Sequence, residues 1–214
     1  MKTRAKRWVL VVSWMLLLAL APLGGRAAWA QDAPSLLQES YEQEAMGRVQ
    51  DALATLERIP GASQGYVFHL RRGWLLYLVG RHADAVPAYE RAIAAAPASI
   101  EARLGVMLPL MAQRRWIDAD RQGREVLKRD AVNYLASSRS AFCAYNLGRW
   151  ADALPLYRKM VEHYPSDVEM RAGLGWTLLK LGNGAEAARA FREVLELAPK
   201  HASAKEGLRT LGVP

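Results

Sequence analysis

Two stretches of the chain, GRHADAVPAY at Gly80–Tyr89 and GRWADALPLY at Gly148–Tyr157, are nearly identical and lie 68 residues apart. That is twice 34, and the other copies a 34-residue period requires are present: RRWIDADRQG begins at Arg114 and GNGAEAARAF at Gly182. Alanine holds the sixth place of every copy, as Ala85, Ala119, Ala153 and Ala187. An aromatic closes three of them, at Tyr89, Tyr157 and Phe191, with Gly123 in the odd one. Pro97, Pro165 and Pro199 follow in register, with Ala131 in the remaining slot. A gapless period of this length marks an array of stacked units, each burying its apolar face on its neighbours.

Each unit reads as helix, turn, helix. Gly80, Gly148 and Gly182 stand where a first helix would end in the left-handed conformation. The closing prolines cannot continue a second helix. The recurring alanine suits a point where two helices cross, and the aromatic four residues later shares its face. Gly73 and Gly175 are counted with these structural positions. Pro155 is expected in the first turn of its helix, where a missing N–H matters least. The third unit departs most, with Arg114 for the turn glycine and Gly123 for the aromatic. It also carries Pro109 inside ARLGVMLPLMAQ, which predicts a local bend.

On these residues the chain resembles the tetratricopeptide repeat family. The resemblance covers Tyr66 to His201, and it extends back over Ala33–Gly65 through Gly47, Ala52 and Leu56. It implies an all-α fold, an α-solenoid of about five helix-turn-helix repeats with a C-terminal capping helix. The expected divisions are 31–65 (divergent), 66–99, 100–133 (divergent), 134–167 and 168–201, with 202–214 as the cap.

The first thirty residues read as a targeting segment. Lys2, Arg4, Lys6 and Arg7 precede an apolar run from Trp8 to Leu23, and Ala28 and Ala30 hold the small-residue places before a signal-peptidase cut. The 16-residue run is short against the about 20 residues a bilayer span needs. The expectation is a cleaved signal and an exported protein, in the periplasm of a Gram-negative bacterium. The alternative is an uncleaved anchor in the inner membrane. Removing residues 1–30 takes the formal charge from +8 to +3, since five basic residues and no acid leave. The basic balance therefore gives no argument for nucleic acid, nor for a membrane surface beyond the signal segment. Cys143 is the sole cysteine, so no internal disulfide can form.

No metal-ligand spacing, nucleophile motif or phosphate loop occurs, and His69, His82, His163 and His201 are scattered. No catalytic residues, metal or cofactor are expected. In the family the first helix of each repeat lines a concave groove. The resemblance therefore places Trp74, Leu108, Phe142 and Trp176 there at the ninth position, and Tyr77, Met111, Tyr145 and Leu179 at the twelfth. Arg71 and Arg139, at the sixth position, alternate with Gly105 and Gly173. The alternative for Trp74 and Trp176 is a place in the core. The lysine-rich carboxylate clamp of chaperone-docking members is not matched, since only Arg139 agrees with it. The reading is a non-enzymatic scaffold or adaptor that binds a segment of a partner protein in its groove. A structural or self-assembling component of an envelope export machine, such as one for polysaccharide, is the alternative.

Overall fold

The computed structural model describes residues 24–213, with side chains from Asp32 onward. Most of the expected signal segment lies outside the described residues, and Ala28 and Ala30 fall within the backbone of the first helix. Five antiparallel helix pairs follow one another: α1 Gly24–Ala45 with α2 Val49–Glu57, α3 Tyr66–Leu78 with α4 His82–Ala95, α5 Ile100–Ala112 with α6 Trp116–Leu127, α7 Tyr134–Asn146 with α8 Trp150–His163, and α9 Val168–Lys180 with α10 Gly184–Leu197. A last helix, α11 Ala202–Thr210, covers the end of the stack. The fold is an all-α solenoid with a capping helix.

All five joints have one geometry. At Gly80 the backbone turns left-handed, with φ 78°. Its N–H donates to the Tyr77 carbonyl (3.0 Å), and that of Arg81 to Leu76 (2.9 Å). This pair of bonds satisfies carbonyls that a helix end would otherwise leave open. Arg114 adopts the same conformation at φ 56°, and the bonds from Arg114 to Met111 and from Arg115 to Leu110 repeat the pattern at 2.9 Å each. The joint thus survives without its glycine, at a conformational penalty of about 1–2 kcal/mol.

Pro155 does not lie in a first turn. It is the sixth residue of α8, as Pro87 is of α4. Both rings are on the exposed side, next to exposed Ala151 and Ala83 whose carbonyls lose the helical bond, so water can take its place. Pro109 does not break α5 either; the helix is continuous from Ile100 to Ala112. Before Pro97, Pro165 and Pro199 the chain extends, with ψ of 79°, 69° and 80° at Ala96, Tyr164 and Ala198.

The core runs the length of the stack. Ala85, Ala119, Ala153 and Ala187 are wholly buried. Each aromatic sits against glycine or alanine: a Cβ on Gly73 would fall 2.7 Å from the Tyr89 ring, and one on Gly105 would fall 2.3 Å from it. Phe191 is held in the same way between Gly175 (2.6 Å) and Gly207 (2.3 Å), and Tyr157 lies on Gly173 (2.4 Å). In the third pair the sizes are exchanged. Gly123 stands on α6, and Met107 on α5, in the place of Gly73, fills the space instead. The large side chain has changed helix, and the space between the two helices stays filled, as close packing demands.

Candidate functional site

The first helices of the first four pairs enclose an open concave groove of about 950 Å³. Tyr41 and Glu44 of α1 form one wall, and Leu70, Arg71 and Trp74 of α3 continue it. Leu104 and Leu108 of α5 make the floor, with Leu135 and Arg139 of α7 opposite. The Leu70–Trp74 and Leu104–Leu108 pairs are four residues apart, so each presents one helix face to the groove. Gly105 lets the Tyr89 ring approach the backbone, and Tyr89 reaches the groove edge.

Of the ten residues the sequence assigns to the groove, Arg71, Trp74, Leu108 and Arg139 line this space and the other six do not. Tyr77 packs between Trp74 (5.9 Å between ring centroids) and His82 (5.3 Å). Met111, Tyr145 and Leu179 are half-buried against core clusters. Phe142 is 44% exposed and meets Trp116 edge-on at 5.7 Å. Trp176 is fixed by its neighbours: its Nε1–H donates to Ser203 Oγ of α11 (2.7 Å), and its ring lies edge-on to Phe191. Trp74 is at once groove wall and structural tie, since its indole N–H donates to Glu44 Oε1 (2.6 Å).

The two arginines at equivalent positions have different fates. Arg71 is 4% exposed. Its Nη1 donates to Glu44 Oε2 (2.8 Å) and its Nε to Ser40 Oγ (2.9 Å), while the guanidinium lies 3.6 Å over the Tyr41 ring centre. Ser40 in turn donates to the Ala52 carbonyl (2.8 Å). These contacts lock α1 onto the stack. Arg139 donates to the Leu104 carbonyl (2.7 Å) and pairs with no carboxylate among the described residues. Desolvation lowers its pKa from the ordinary arginine value, with Tyr77 and Tyr89 acting the other way. A charge so placed gains strongly from an arriving anion. Tyr41, Glu44, Leu70, Leu104 and Leu135 also line the groove, outside the ten the register assigns; the first two belong to the unit whose register is weakest.

Elsewhere the titratable groups are structural. Cys143 is completely buried, and desolvation pushes its thiol up to about 12. His201 caps α11 by accepting from the Ala204 N–H through Nδ1 (3.2 Å), and its Nε2 contacts Glu169 Oε1 (3.1 Å). Among the described residues no group of three His, Cys, Asp or Glu could hold a metal, and no helix is long and apolar enough to cross a membrane.

Tetratricopeptide repeat profiles match residues 37–100, 110–168 and 144–210. The chain belongs to the tetratricopeptide repeat family. Solved structures of the same fold include MamA from strain AMB-1, at 19% identity and TM-score 0.69 over 76% of this chain and 96% of that one. MamA from Desulfovibrio magneticus RS-1 aligns at 16% identity and TM-score 0.74, covering 79% and 97%. YrrB, described as a tetratricopeptide repeat protein with an unusual peptide-binding site, aligns at 15% and 0.75, covering 84% and 93%. No curated protein sequence matches the chain significantly. As a tetratricopeptide repeat array, the chain has the build of a protein-interaction scaffold.

Proposed function

We propose that this protein is a non-enzymatic adaptor of the cell envelope that holds a segment of a partner protein in its concave groove. The observation that carries the reading is the groove itself: an open channel about 950 Å³ in volume, walled by Leu70, Trp74, Leu104, Leu108 and Leu135. Apolar side chains spaced along facing helices suit the anchors of an extended or helical peptide. The wall is pre-formed, because Arg71 and Trp74 both grip Glu44 and hold α1 in place. Pre-formed surfaces lose little entropy on binding. The basic, apolar N-terminal segment with Ala28 and Ala30 supports export to the periplasm.

The test uses partners co-purified from the envelope fraction with the wild-type chain. Leu108→Arg and Leu135→Arg, on the floor and the far wall, abolish capture while helicity and melting stay unchanged. Capture that survives both substitutions sinks the groove assignment. Sequencing the mature N-terminus tests export, and a chain starting at Met1 contradicts a cleaved signal.

A further inference from the structure

Arg71 and Arg139 stand two repeats apart at the same place in their units. The Arg71 niche holds a counter-ion: Ser40 and Glu44 of the preceding helix supply a hydroxyl to Nε and a carboxylate to Nη1. Sixty-eight residues on from Ser40 and Glu44 lie the corresponding places for Arg139. The places of Ser40 and Glu44 in the unit preceding α7 are taken by Leu108 and Ala112. Neither can accept a hydrogen bond through its side chain. Arg139 is therefore a copy of the Arg71 site with the acid removed, opening on the groove beside Leu135 and the Leu104–Leu108 floor.

We infer that the partner segment carries an aspartate or glutamate side chain, set between apolar residues, which docks on Arg139 as Glu44 docks on Arg71. The inference rests on the groove reading above. Three observations specify the chemistry. The guanidinium is partly desolvated and makes one hydrogen bond, to a backbone carbonyl, so most of its donors are open to a planar acceptor. Its surroundings are leucine and tyrosine side chains, where a charge-assisted bond is stronger than in water. Arg71 is already paired with Glu44, whereas Glu101, the other groove acid, keeps its charge and accepts only from the Tyr66 hydroxyl (3.1 Å), so among the described residues Arg139 is the groove cation without a carboxylate partner. One cation in a groove open to solvent fits one internal carboxylate, and the chain terminus of a partner gains no second cation there.

The probe is a displayed library of random linear peptides, selected on the full wild-type chain, with the strongest binder resynthesised in its acidic form and with its acid changed to the amide. The expected result is that selected peptides place Asp or Glu among apolar residues. The acidic form should bind the wild type at least about tenfold more tightly than the amide form, the range of one charged hydrogen bond. Arg139→Gln should bind the two forms alike. Equal binding of both forms by the wild type overturns the inference and leaves the groove standing. No selected peptide, or binding unaffected by both Leu108→Arg and Leu135→Arg, overturns the groove reading and this inference with it. Leu135 is exposed, so its substitution tests the groove without loading the core.

Discussion

Met107 and Gly123 face each other across α5 and α6, and a Cβ on Gly123 would lie 2.9 Å from the Met107 methyl. The second and fifth pairs reverse the arrangement, with Gly73 against Tyr89 and Gly175 against Phe191. The exchange moves the large side chain from one helix to the other. Gly123→Ala must also displace the Ser140 hydroxyl, 2.2 Å from the added atom. It is expected to lower stability by about 1–3 kcal/mol, as overpacking does, read as an earlier urea midpoint. Met107→Ala combined with Gly123→Ala should cost less than the sum of the two single changes, because the shorter side chain vacates space that the new methyl enters. Additive losses in the double variant would refute the compensation.

Arg114 is the only non-glycine residue with positive φ among the described residues. Arg114→Gly removes a conformational penalty while both joint bonds come from the backbone and remain. The variant is expected to be more stable by about 1 kcal/mol, measured by denaturant unfolding. The reverse change, Gly148→Arg at φ 72°, should lose a similar amount. If Arg114→Gly is destabilising, the arginine side chain holds the joint in a way the backbone geometry does not reveal.

What was legible in the sequence follows from how local each determinant is. A joint depends on one residue and the turn before it, so Gly80, Gly148 and Gly182 announce themselves. Tyr89 and Phe191 announce a filled space but not its far wall, which Gly105 and Gly207 supply from the next unit. The third unit read as a departure because glycine and aromatic were sought at fixed places, whereas packing asks only that the space be filled. In the groove, Trp74, Leu108 and Arg139 could be found from the register. Tyr41 and Glu44 could not, since α1 belongs to the unit with the faintest period. Nor could the different fates of Arg71 and Arg139, which depend on Glu44 lying 27 residues before one and on Ala112 lying 27 before the other.

Asp120 is buried on α6 and accepts from Arg124 Nε (2.9 Å) and from Arg149 Nη2 (2.7 Å), which comes from the joint between α7 and α8. The second bond ties the third repeat to the fourth. Asp120→Ala leaves two arginines that can turn to water, whereas Arg149→Ala leaves a buried carboxylate with one partner. Arg149→Ala is therefore expected to be the more harmful, by about 1–3 kcal/mol, because the buried carboxylate, whose Oδ1 has no partner, then keeps only the bond from Arg124 to its Oδ2. Equal effects of the two in thermal unfolding would remove the argument.

Cys143 gives the stability of the chain a pH dependence of definite sign. Desolvation in the core pushes the folded thiol from 9.0 up to about 12, with Asp120 raising it further and Arg149 opposing. The folded state therefore keeps its proton where the unfolded chain has lost it. The contribution is fully present below pH 9 and is lost progressively as pH rises towards 12. At pH 10 the loss from this group is between about 1 and 2 kcal/mol. Tyr89 and Tyr157, also raised by burial, deepen the decline from pH 10 upward. Cys143→Ala should flatten the urea midpoint between pH 8.5 and 10 while leaving the steeper fall above it. In the wild type a thiol reagent should label Cys143 at the rate of unfolding, and rapid labelling of the native chain would show that the thiol is not sealed in the core.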